Sequence, residues 1–199
     1  MACNPIGDAV TLRRNMGSLR PQGEGPLRVE MRADLTRAGS DISIPLGKFS
    51  GDELYFAQGA IAPRPLGLTT AVAVASDRVY LGTGDDFRIA VFSPDGDRIG
   101  TIDTAIERLP LDRRRREAYI ESAVADSRHG ESSRAFYSSL EYPERLPAHG
   151  SMLVDSQDRL WVQSYPDPTN ARSVTWYVFG RTGDLLALIE IPAGLEVFD

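Results

Sequence analysis

The side chains of this chain that could carry chemistry are few and scattered. His149 opens an apolar run just before Gly150, and an imidazole there has the chemistry of a metal ligand or a general base. A histidine bonding backbone at a strand entry fits the same position and is the preferred reading. Asp85 and Asp86 end the stretch Gly82-Thr83-Gly84-Asp85-Asp86. Their oxygens suit a hard cation, but a solvated loop whose aspartates bond local amides is preferred. Arg113 to Arg116 have the chemistry to grip a phosphate or an acidic partner. With Asp112, Glu117 and Glu121 beside them, a solvated helix face is preferred. Tyr119, Tyr137 and Tyr142 suit either a binding surface or simple packing. No Ser-His-Asp order, phosphate-cradling glycine loop or Cys/His cluster occurs. No catalytic residue, metal or other cofactor is therefore assigned.

The elements that must position these residues repeat. Val91 to Ile102 match Val178 to Ile189 without a gap, and Leu35 to Ile44 form a weaker copy. Each copy is an apolar strand, a polar turn with glycine at a fixed place, and a second apolar strand. Gly39, Gly96 and Gly183 hold the turn position, where a positive φ closes the hairpin. Upstream, Asp77-Arg78-Val79-Tyr80-Leu81 aligns with Asp158-Arg159-Leu160-Trp161-Val162 and with Asp8-Ala9-Val10-Thr11-Leu12. Alternation puts the aliphatics on one face and the aromatic on the other, so both faces need cover. The apolar runs Ala71 to Val74 and Met152 to Val154 precede these strands and complete units of four. Repeats of this kind predict an all-β fold of stacked antiparallel sheets, a partial β-propeller of about three four-stranded blades. The blades are placed at residues 7–49, 69–103 and 149–191.

A different pattern occupies residues 104–147. Asp112 follows Pro110 as a helix N-cap, and Tyr119, Ile120, Ala123 and Val124 make an apolar face at helical spacing. A second short helix is expected from Glu131 to Leu140, making a helical insert between two blades. Both ends look cut: Met1 to Gly7 leave little room for an inner strand, and residues 195–199 read as the start of a further blade. The expectation is a single domain that is part of a longer chain, or one that self-associates through open blade edges.

The segments Val79-Tyr80-Leu81-Gly82-Thr83-Gly84-Asp85, Val91-Phe92-Ser93-Pro94-Asp95-Gly96 and Leu160-Trp161-Val162 resemble those of bacterial six-bladed β-propellers of the NHL-repeat and gluconolactonase-like group. The likeness covers most of residues 67–199. It implies export of full-length relatives, although no leader pattern stands at Met1 to Pro5. It also implies that loops entering the inner strands open on one face around an axial channel. On that mapping His149, Thr69 and Thr70 sit at the channel mouth. The loops holding Asp85 and Asp86, and Tyr165 to Asn170, open on the same face, with the insert as a lid. The expected ligand-binding set is His149, Thr69, Asp85, Asp86, Asp167 and Arg64. Gluconolactonase-like relatives hold a metal with carboxylate and amide side chains on inner strands. The inner runs here are apolar, which counts against a metal-dependent hydrolase.

Composition narrows the partners. Lys and Arg total 22 against 28 Asp and Glu, a net charge of −6, which disfavours nucleic acid and anionic membranes. No apolar run is long enough to span a bilayer. Cys3 is the only cysteine, so no internal disulfide forms. The expected function is a non-catalytic module that binds a protein or small ligand. A metal-dependent hydrolase or lactonase and a structural scaffold are the alternatives.

Overall fold

The computed structural model describes residues 2–4, 6–21, 23–57, 59–170, 172–192 and 194–195. They form three antiparallel sheets with a helical segment between the second and third. The first sheet runs β1 (Ala2–Cys3), β2 (Ala9–Arg14), β3 (Gly25–Thr36), β4 (Ser43–Ala57) and β5 (Ala60–Pro63) in that order. The second is β6 (Ala71–Val74), β7 (Val79–Gly82), β8 (Arg88–Phe92) and β9 (Arg98–Asp103). The third is β10 (His149–Val154), β11 (Leu160–Ser164), β12 (Ser173–Phe179) and β13 (Leu185–Pro192).

The paired hairpins of the second and third sheets are built alike. Gly96 donates its amide to the Ser93 carbonyl at 3.0 Å, and Gly183 does the same to Gly180 at 2.9 Å. Ser93 and Gly180 in turn donate to Asp97 and Asp184 at 2.8 and 2.9 Å. Gly39, Gly96 and Gly183 all take positive φ, at 71°, 90° and 89°.

The first sheet corrects the sequence reading in three ways. It has five strands rather than four. Ala2 and Cys3 do form a strand ahead of β2, paired with Val10 and Ala9. Its apolar face is also reversed. In the second sheet Val79 and Leu81 pack toward the first sheet while Tyr80 packs toward the third. In the third, Leu160 and Val162 pack toward the second sheet, repeating that orientation. In β2, however, the aligned Val10 and Leu12 face forward into the second sheet. The cause lies in β3, whose alternation puts Leu27, Val29, Met31, Ala33 and Leu35 on the face toward the second sheet. Arg28, Glu30, Arg32 and Asp34 occupy the opposite face. A strand covered on one side only keeps its apolar residues on that side.

Between sheets, Ala73, Tyr80, Ile89 and Val91 meet Met152, Leu160, Val162 and Phe179 in one core. Val10, Ala33, Leu35 and Leu46 meet Val74, Val79 and Leu81 in another. Trp161 is half-buried. It lies with Trp176 on the far face of the third sheet, ring centroids 6.5 Å apart, and its indole N–H donates to Asp155 at 2.8 Å.

The expected helix forms as α1 (Arg113–Asp126), and the Asp112 carboxylate accepts from the Arg115 amide at 2.9 Å. Ile120 and Val124 are its buried residues. The second expected helix is a 3-10 turn at Gly130–Ser133 running into α2 (Arg134–Ser139). Of the expected further strand at 195–199, Leu195 is exposed and outside any strand. Glu196 to Asp199 lie outside the described residues. No helix among the described residues is long and apolar enough to cross a membrane.

Candidate functional site

A cleft of about 910 Å³ opens beneath α1, where the first strands of the three sheets, β1, β6 and β10, lie near one another. The first sheet contributes Ala2 and Leu12, and the segment into β6 contributes Thr69, Thr70, Ala71 and Val72. Gly150, Ser151 and Met152 come from β10, and Gln163 from β11. The loop after β11 adds Tyr165, Pro166, Asp167, Pro168 and Asn170, and α1 closes the top with Tyr119 and Ser122. The volume lies in the range of small-molecule pockets, and the walls are mostly apolar with a smaller share of polar groups.

Position in the fold sets each polar group. Asp167 accepts from Arg115 Nε at 3.0 Å and from the Thr169 amide and hydroxyl at 2.9 and 2.8 Å. It thereby ties α1 to the third sheet. Burial works to raise the Asp167 carboxyl, but the Thr169 amide, the Arg115 guanidinium and the Thr169 hydroxyl outweigh it and hold it below the usual carboxylate range. Burial, with a smaller contribution from Tyr119, pushes the Tyr165 phenol up to about 12. Burial, and then Tyr137, also raises Tyr119. Both phenols keep their protons at neutral pH.

The six expected ligand-binding residues divide. Thr69 and Asp167 line the cleft. Arg64 does not: it donates to Glu53 at 3.3 Å and twice to the Glu141 carbonyl at 3.2 Å, bracing the helical segment against the first sheet. Asp85 pairs bidentately with Arg28 at 3.0 and 2.7 Å, which fastens the β7–β8 loop to β3. Asp86 is exposed and 3.5 Å from Arg88. Neither aspartate reaches the cleft. Among the described residues no three His, Cys, Asp or Glu side chains converge as a metal site would require.

His149 takes the preferred reading, a histidine bonding backbone at a strand entry, rather than a place in the ligand-binding set. The channel-mouth mapping puts it in reach of solvent, yet it is 0% exposed. Its ring points into the seam between second and third sheets, edge-on to Phe87 at 5.9 Å. Nδ1 lies 3.1 Å from the Gly150 carbonyl and Nε2 has no partner. Desolvation lowers its pKa below the ordinary 6.5, and the Gly150 carbonyl, Asp86 and Asp85 offset this only in part. The ring is therefore neutral in the folded protein at pH 7. Unfolding frees it to take a proton below about pH 6.5, so the unfolded state binds more protons there and stability falls with pH. Chemical denaturation from about pH 7.5 to about pH 5.5 should show this loss, at up to about 1.4 kcal/mol per pH unit below the unfolded pKa. His149→Gln should flatten the slope; an unchanged slope would remove His149 as its source.

The sequence reading did not single out Ser122, Ser151 or Gln163. Ser122 follows Tyr119 by one helical turn, a spacing that places both on one face. Nothing local marks Ser151 or Gln163. Comparison of the chain with known protein families, curated proteins and solved structures finds no match.

Proposed function

We propose that this chain is a non-catalytic binding module that takes a small ligand into the cleft beneath α1. The observation carrying this reading is convergence: residues from all three sheets and from α1 line one largely apolar space. We also propose that the three sheets are consecutive blades of a β-propeller of the NHL and gluconolactonase-like kind. Supporting it are the like-built hairpins of the second and third sheets and the common orientation of Val79, Leu81, Leu160 and Val162. An experimental structure in which the inner strands do not share a central axis would refute that architecture.

The function is tested by screening a small-molecule library by ligand-observed NMR. The wild type is compared with Ser122→Trp and Ser151→Arg, which fill the cleft from exposed positions. Hits should appear with the wild type and vanish with both variants. Hits that persist in both would place binding elsewhere and overturn the reading. A parallel calcium titration showing tight stoichiometric binding, lost on Asp85→Ala, would favour the metal-dependent hydrolase instead.

A further inference from the structure

Hydrogen bonding inside the cleft is lopsided, and the imbalance indicates what the ligand offers. Gln163 and Asn170 each have one side-chain oxygen and one NH₂ group. The Gln163 oxygen accepts from the Ser151 amide at 3.3 Å, and the Asn170 oxygen accepts from the Arg172 amide at 3.3 Å. A backbone N–H can only donate, so both amides are oriented with oxygen toward the backbone and NH₂ free. Tyr119 and Tyr165 add two phenolic O–H groups that bond to no other described residue. The cleft thus presents amide NH₂ and phenolic O–H donors with no partner among the described residues, while each amide oxygen already accepts one backbone N–H. Its single charged lining residue, Asp167, is taken up by Arg115 and Thr169. An ionic ligand would lose its hydration here and find no free counter-charge. Leu12, Val72, Met152 and the two loop prolines supply the apolar walls.

We propose that the ligand is an uncharged, apolar compound carrying carbonyl or ether oxygens, received by the Tyr119 and Tyr165 hydroxyls and the Gln163 and Asn170 amides. This rests on the cleft being the binding site. The test is a fluorescence titration with three matched probes: 6-propionyl-2-(dimethylamino)naphthalene, the same naphthylamine lacking the propionyl group, and its 6-carboxylate. The ketone should bind one per chain, about tenfold more tightly than either of the others. Tyr119→Phe combined with Tyr165→Phe should remove that advantage and leave the parent naphthylamine unaffected. If the carboxylate binds as tightly as the ketone, or the double variant leaves the ratio unchanged, the ligand class is refuted while the cleft stands. If no probe binds, or binding survives Ser122→Trp, the cleft itself falls and the class with it.

Discussion

Phe87→Ala is expected to remove about 3–5 kcal/mol of folding stability, a large share of the roughly 5–15 kcal/mol that a folded domain holds in reserve. Phe87 is 2% exposed and sits in the connection between β7 and β8, outside any strand. Its ring centroid lies 5.1 Å from that of Tyr177, 5.8 Å from that of Phe179 and 5.9 Å from that of His149. With Tyr80, it is thus an aromatic by which the second sheet grips the third. Truncation leaves a cavity that three rings anchored on β10 and β12 cannot collapse to fill. Phe87→Leu keeps most of the volume and should cost far less. Urea denaturation of the three proteins reads both values; a loss below about 1 kcal/mol for the alanine variant would mean that this seam is not closed as described.

The second large effect concerns a methyl group. Gly82 ends β7 with its missing side chain directed at the third sheet, and a Cβ there would lie 2.4 Å from His149 Nε2 and 2.7 Å from Cε1. The His149 ring is wholly buried against Phe87, so it cannot swing aside. Gly82→Ala should therefore destabilise by about 2–3 kcal/mol through overpacking. His149→Ala alone should also destabilise, by leaving a void. In the double variant the new methyl enters the vacated space, so the combined loss should fall short of the sum by about 1–3 kcal/mol. Simple additivity would show that the two sites do not touch. The same contact explains why the histidine at this strand entry is not free to bind a ligand.

Much of the fold was legible because it is written in local patterns. The three hairpin glycines, the strand alternation around Tyr80 and Trp161, and the Asp112 cap are each set by residues a few positions apart. The all-β class and the helical segment followed from them. β3 follows the same period, alternating strictly from Leu27 to Leu35, a pattern outside the hairpin copy that begins at Leu35. Motif alignment of β2 does not by itself decide which neighbouring sheet Val10 and Leu12 face, because period-two patterns match equally well in either orientation.

The candidate site was less legible. Asp85, Arg64 and His149 carry chemistry-bearing groups, yet each is committed elsewhere: to Arg28, to Glu53 and the Glu141 carbonyl, and to the seam beside Gly82. Arg28 and Asp85 are 57 positions apart. Arg64 and Glu141 are 77 apart. No spacing rule pairs such residues.

From sequence alone came the β character of the chain, its hairpin turns, the capped helix and the scarcity of reactive groups, since each depends on backbone preferences within one or two turns of chain. Tertiary structure alone decided that Arg64, Asp85 and Asp86 stay out of the cleft that Thr69 and Asp167 line, and that His149 is sealed away from it. Those outcomes depend on which sheet faces meet, and that is fixed by packing between residues far apart along the chain.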